Sequence, residues 1–206
     1  MNDGPGDAGA RAEPALSPIL AAARLELREN GYHGTTVRRI VARAGLTMPA
    51  LYYHYGNKEG VLVALLDLGM DDLLGHLRDG LAQAGHDPAD RLRAFVFAVT
   101  GHVTRRQDLA ILHREYRFLS DGARAGYVAR RDEVDAMLVD IIEDGVVDGR
   151  FTVRDTRFGA RVILGMVQGA TDWYRPDGPD TPETIADRFV EAALRVLGAE
   201  GGGREQ

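Results

Sequence analysis

Twelve residues, Thr47 to Lys58 (TMPALYYHYGNK), hold the densest concentration of chemically capable groups in this 206-residue chain. Tyr52, Tyr53 and Tyr55 are flat hydrogen-bonding rings, His54 adds an imidazole, and Lys58 is the only lysine in the sequence. Phenol, imidazole and ammonium groups donate to phosphate oxygens, and aromatic faces rest on sugars and thymine methyls. The flanking charge agrees. From Thr35 to Lys58 there are Arg38, Arg39, Arg43 and Lys58 and no acidic residue, a local +4 in a chain of net −6, which leaves −10 for the remainder. A basic island on an acidic body is the footprint of a protein that meets phosphate on one surface. On charge alone, a chance gap in Asp and Glu looks the same.

Other chemistry finds fewer candidates. The two serines, Ser17 and Ser120, sit at expected helix caps, and the absence of cysteine removes disulfides and thiolate sites. The six histidines show no metal-ligand spacing, so neither a metal nor a cofactor is expected. Asp71-Asp72 and Glu143-Asp144 are adjacent carboxylates, which point in different directions on a helix and make no acid–base pair. The chain is therefore not expected to be an enzyme. The N-terminal stretch MNDGPGDAGARAEPALSP lacks an apolar run after a basic start, and nowhere do 18 apolar residues run without charge. A cytoplasmic protein with no membrane partner is the expectation.

The elements that must position these groups are helices. Strand alternation is nearly absent, with only short pieces such as Arg150-Phe151-Thr152-Val153. Ser17 caps a first helix with Pro18 in its first turn and Ile19, Leu20, Ala23 and Leu27 on one face; Asn30-Gly31 stops it. Thr35-Thr36 caps a helix over 37–44 that turns Ile40, Val41 and Ala44 inward and ends at Gly45. Thr47 caps the next, with Pro49 in its first turn; Gly56 ends it, and Asn57 opens a long helix through about Leu77. Further helices are expected at 88–106, 108–119, 122–147, 155–174 and 181–197. The fold class is all-α. Its divisions are a disordered leader (1–16), a helix-turn-helix domain (17–62), a larger helical domain (63–197) and a disordered tail (198–206).

Helix, glycine turn and helix over 36–55 form a helix-turn-helix, whose second helix enters a DNA major groove. Ala44 and Gly45 permit the close crossing, and Leu46 is expected to plug the wedge between the helices. Leu51 and Tyr55, four apart, pack onto Ile40, leaving Met48, Pro49, Ala50, Tyr52, Tyr53 and His54 on the exposed rims. A purely structural aromatic helix would need neither this compressed turn nor the basic flank. Late in the chain, FGARVILGMVQGATDW (158–173) carries one basic and one acidic residue and is apolar on most faces. A helix apolar nearly all round must be covered nearly all round. A second copy of the chain is the expected cover, with Phe158, Val162, Met166, Phe189 and Ala193 at a homodimer interface.

Residues 31–62, GYHGTTVRRIVARAGLTMPALYYHYGNKEGVL, strongly resemble the DNA-binding signature of the tetracycline-repressor family of bacterial regulators. The likeness lies in the Gly-aromatic turn, the Thr-Thr cap, Ala-Gly-Leu, Leu-Tyr-Tyr-His-aromatic and Asn-Lys-Glu, all at fixed spacings, and covers about residues 19–70. It implies that Met48 and Pro49 touch base edges, that Tyr52 touches base or sugar, and that Thr36, Arg38, Tyr53, His54 and Lys58 contact phosphates, with Arg39, Thr47 and Ala50 in the same surface. Two departures are Leu27, where the family favours phenylalanine, and Arg24, where an apolar residue is common. The recognition helix lacks Arg, Asn and Gln, so readout is expected from methyl contact, Arg38 or Arg39, and DNA shape.

The resemblance also implies a C-terminal domain that dimerises through its last two long helices and encloses a small-molecule pocket. Such a two-fold dimer reads a palindromic or pseudo-palindromic operator with half-sites spaced near a multiple of one helical turn, about 34–36 Å. Pocket candidates are His113, Tyr116 and Arg117 of HREYRFL, with Met137 and Trp173. The segment WYRPDGP (173–179) resembles the tail of members that respond to acyl-CoA thioesters, with Arg114, Arg117 or Arg124 within reach of a CoA phosphate. Alternatively, Trp173 packs on the dimer partner and the arginines pair with Glu115, Asp121 and Asp132. The expected function is a ligand-responsive regulator, a repressor released from operator DNA by a small apolar or acyl-CoA effector. The alternative from another class is an all-α lipid-binding protein or enzyme with a degenerate helix-turn-helix.

Overall fold

The computed structural model describes residues 16–199, and among them there is no strand. Residues 1–15 of the leader expected over 1–16, and 200–206 of the tail expected over 198–206, lie outside the described residues. Gly198 and Ala199 do not behave as a free tail. The Gly198 carbonyl accepts from Thr152 Oγ1 at 3.0 Å, and Ala199 packs against the core.

Helix α1 (Pro18–Gly34) starts where Ser17 Oγ accepts the Leu20 N–H at 3.3 Å, with Pro18 in the first turn, whose N–H groups have no helical acceptor. It kinks at Gly31, whose φ of 65° and ψ of 178° suit a residue without a side chain. Helix α2 (Val37–Ala44) is capped by Thr36 Oγ1 on the Arg39 N–H, and Gly45 ends it at φ 66°. Helix α3 (Met48–Tyr55) ends at Gly56, and Asn57 then caps α4 (Lys58–Gln83) through the Gly60 N–H at 2.8 Å. Helix α4 runs past the expected end at Leu77. α5 packs along this stretch, where Gly80 faces Ala94.

Helix α5 (Pro88–Arg105) is the hub of the body: α4, α7 (Asp121–Val147), α8 (Thr156–Gln168) and α10 (Pro182–Val196) all pack against it. Its Leu92, Phe95 and Val96 are fully enclosed. The single helix expected at 108–119 is instead one turn of α-helix, α6 (Gln107–Ala110), followed by a 3-10 stretch (Ile111–Phe118). Local side-chain bonds compete with a regular helix here: Asp108 Oδ1 takes the Leu109 N–H at 3.0 Å and His113 Nδ1 takes the Ala110 carbonyl at 3.0 Å. The helix expected at 155–174 divides at Gly169 into α8 and α9 (Ala170–Trp173).

Candidate nucleic-acid interface and ligand cavity

Leu51 is fully buried in the core that also holds Ile40 and Val41 of α2, and its truncation to alanine would cost about 2–5 kcal/mol. Tyr55 is half-buried, and its hydroxyl meets Ser17 Oγ at 2.8 Å, tying α3 to the start of α1. Gly60 fixes α3 against α4, because a Cβ there would overlap the Tyr55 carbonyl oxygen. With that face anchored, Met48, Pro49, Tyr52, Tyr53 and His54 are exposed and Ala50 is half-buried. Tyr53 is 85% exposed, and its ring meets that of His54 in a T-shaped arrangement, 5.0 Å between centroids. The rims are outward, as the sequence implied.

Leu46 is not the expected plug; it is 41% exposed. Its N–H closes back on the Val41 carbonyl at 3.0 Å beyond the left-handed Gly45, which sends the side chain to the surface. Thr47 holds the N-cap position of α3, yet its side chain caps nothing.

The basic island is thinner than its composition. Glu26, buried in α1, receives Arg39 Nε and Arg43 Nε at 2.8 Å each, and Arg43 also forks onto Glu29. The hydrogen bond from Arg43 holds the Glu29 carboxyl below its usual range. Arg38 is exposed and has no ion pair among the described residues. Lys58 does not reach outward as a phosphate ligand would. Its Nζ donates to the Tyr32 carbonyl at 2.8 Å and the Thr35 carbonyl at 3.0 Å and lies 4.0 Å from the Tyr32 ring centroid. Burial lowers its pKa. The ammonium is a clamp on the end of α1. Sequence reasoning also missed Glu26, although its place between Ala22-Ala23 and Leu27 on the apolar face of α1 was a readable signal.

The same corner joins the helix-turn-helix unit to the body. Glu115 accepts the Tyr32 N–H at 3.2 Å, Phe118 stacks on the Tyr32 ring at 5.7 Å, and Glu59 accepts the Ser120 N–H at 2.7 Å. Arg24 forms an ion pair with Asp108, which accounts for its departure from an apolar residue.

Beside this joint lies a cleft of ≈ 640 Å³, open mouth included. Leu66, Met70 and Leu73 of α4, Val99 and Val103 of α5, and Val134 of α7 give it apolar walls. Its polar groups are His102, His113, Tyr127, Arg131, Asp135, Gln168 and Thr171. Burial lowers the His113 pKa, reinforced by the charges of Arg131 and Arg114 and opposed by the Ala110 carbonyl. Burial raises the Asp135 carboxyl and pushes the Tyr127 phenol up to about 12. Behind the wall, burial opposes ionisation of Asp72, but the hydrogen bond from His102 and the charge of Arg106 outweigh it and hold the carboxyl low. Among the described residues no group of three or more metal-ligating side chains gathers.

Residues 19–65 match the family model described as bacterial regulatory proteins, tetR family, and residues 85–197, more than half the chain, match the tetracyclin repressor-like C-terminal domain. This chain belongs to the TetR family. It is a ligand-responsive, DNA-binding transcriptional regulator of a family whose members are not enzymes. It is 30% identical to the HTH-type transcriptional repressor KstR2 of Rhodococcus jostii (strain RHA1), over 95% of each protein. A tetR-family bacterial regulatory protein from Rhodococcus RHA1 superposes with a TM-score of 0.83 at 29% identity, over 89% of this chain and 97% of that one. AibR in complex with isovaleryl coenzyme A and operator DNA superposes with a TM-score of 0.77 at 31% identity, over 84% and 95%. Among the described residues no helix of this TetR-family regulator is long and apolar enough to cross a membrane.

Of the pocket candidates, only His113 lines the cleft of this TetR-family chain. Tyr116 stands a layer behind, 5.5 Å from the Tyr127 ring, and Arg117 is exposed over Phe118. Met137 packs on the core on another face of α7. Trp173 is 52% exposed and meets Phe189 edge-on at 6.3 Å, so it belongs with the outer face of α8–α10. On that face Phe158 is 60% exposed, and Val162, Met166 and Phe189 are half-buried. Ala193 is not available to a partner. It is wholly enclosed, because α10 turns it into the chain's own core, where α5 packs. Arg124 pairs with Asp121, and Arg114 pairs with Asp172 at 2.5 Å. Tyr127 was missed, though it opens the stripe Tyr127, Val134, Leu138, Ile141 along α7.

Proposed function

We propose that this regulator represses from a palindromic operator and releases it when a small apolar ligand, carried as an acyl-CoA thioester, fills the cleft between α4, α5 and α7. The observation that carries the reading is the shared use of α4: its first turn is locked to α3, and its middle forms a wall of the cleft. From Gly69 at the cleft to Lys58 is eleven residues, roughly 16 Å of helix. A tilt of ~10° about that point moves α3 by roughly 3 Å, enough to spoil the spacing of two recognition helices. The 3-10 stretch offers a second linkage, since His113 faces the cleft and Glu115 and Phe118 hold α1. Ligand and operator affinities are then reciprocally coupled.

Met48, Pro49 and Tyr52 face the bases in this reading, while Thr36, Arg38, Thr47, Tyr53 and His54 meet sugar and phosphate; Arg39 and Arg43 add charge from their pinned positions. Two copies join through Phe158, Val162, Met166, Trp173 and Phe189. The thioester is supported by the apolar walls and by the similarity to AibR, whose solved complex holds isovaleryl coenzyme A. Operator fragments selected from the source genome, titrated by fluorescence anisotropy with and without acyl-CoA thioesters, test both halves. Equal affinities reject the ligand half; no binding at low ionic strength rejects the whole.

A further inference from the structure

Two polar groups in the cleft lack a hydrogen-bond partner among the described residues: one can only accept, and the other is able to donate. His113 Nδ1 stands 3.0 Å from the Ala110 carbonyl oxygen, and a carbonyl only accepts, so the ring proton is on Nδ1. Burial keeps the imidazole neutral near pH 7, which makes Nε2 a bare lone pair. Nε2 has no partner among the described residues, and the ring lines the cleft. Tyr127 is the complement. Its hydroxyl stays protonated and has no hydrogen bond among the described residues, and the residue lines the same cleft. Neither atom is sealed off under neighbouring groups.

We propose that the effector carries a hydroxyl group within its apolar portion, donating to His113 Nε2 and accepting from the Tyr127 hydroxyl. This deepens the proposed function and rests on the cleft being the effector site. A hydroxyl alone among simple oxygen functions both donates and accepts. A ketone satisfies Tyr127 and leaves the His113 lone pair facing an acceptor. A methylene leaves both groups dry and unpaired. A carboxylate has no proton for His113. Each unmade bond in such a site weakens binding by about 10-fold.

Two measurements test this on the full-length protein. In histidine-labelled protein, long-range 1H–15N correlation, assigned with His113→Leu, should show neutral His113 protonated on Nδ1; an Nε2–H tautomer overturns the inference. Decanoyl-CoA, its 2-, 3- and 10-hydroxy forms and its 3-oxo form are then titrated by calorimetry. At least one hydroxy form should bind about 100-fold more tightly than decanoyl-CoA, two bonds at about 10-fold each, and the oxo form should fall between. Tyr127→Phe and His113→Leu, each checked for folding by its melt, should abolish the preference. Failure of every hydroxy form to exceed decanoyl-CoA overturns the inference. If no thioester binds, the thioester reading falls alone. Cyclohexanol, cyclohexanone and cyclohexane then decide the hydroxyl question, since only the alcohol should shift the His113 Nε2 resonance, and equal shifts reject it.

Discussion

Replacing Tyr53 by phenylalanine removes one oxygen from the most exposed ring of α3. At 85% exposure, with no hydrogen bond to its hydroxyl among the described residues, the change should leave folding stability within ~0.5 kcal/mol. A neutral hydroxyl donating to a phosphate contributes about 1.5 kcal/mol, the low end for a bond to a charged group, because the phosphate rehydrates when the donor is lost. A two-fold dimer makes the contact twice, so the loss is about 3 kcal/mol, or roughly 100-fold in operator affinity. Anisotropy titrations across a salt series separate this from charge. Tyr53 is neutral, so the slope of log affinity against log salt should hold. Arg38→Ala should reduce that slope by about 0.9 per half-site. Operator affinity within two-fold of wild type, with an unchanged melt, would refute the outward-facing placement of the DNA surface. A lowered melt would refute it differently, by showing the hydroxyl to be structural.

Glu26→Ala should destabilise the DNA-binding unit by about 2 kcal/mol, less than for a fully buried ion pair because Arg39 and Arg43 can turn to solvent; a loss under ~0.5 kcal/mol in urea unfolding counts against the hub. Gly60→Ala should cost more than about 10-fold in operator affinity while sparing ligand binding to the cleft, because the Tyr55 carbonyl must move; undiminished DNA binding would show that α3 is not seated by that contact. Asp72 is held below its ordinary 3.8, so its stabilising effect is full above 3.8 and disappears as pH falls through its lowered folded value. Asp72→Asn should therefore flatten the acid limb of the stability profile below about pH 3.8, and an unaltered limb would contradict the His102–Asp72–Arg106 network.

The recognition unit was readable in the sequence because its signals are local. Thr36, Gly45, Gly56 and Asn57 act within four residues of their own positions, and they bound α2, α3 and the start of α4 where the structure has them. What escaped depends on distant partners. Lys58 looks like a phosphate ligand until Tyr32 and Thr35 arrive from the end of α1, and Arg39 looks free until Glu26 does. Ala193 and Phe189 lie on one helix of suitable period, but only the packing of α5 decides that one is enclosed and the other half-exposed. The 3-10 stretch escaped because an apolar periodicity cannot foresee a histidine bonding back to Ala110. Met137 and Trp173 share composition with a pocket without sharing its location.

The solitary lysine has a practical consequence. Reagents aimed at side-chain amines have one target in this chain, and it is the nitrogen that fastens the end of α1 over the first turn of α4. Acylating it strips a charge and withdraws donors from two carbonyls at once, so a dye, biotin or sensor surface attached this way would be installed at the joint it was meant to report on. A cysteine introduced on an exposed position, in a chain that has none of its own, gives a single handle that leaves this joint alone.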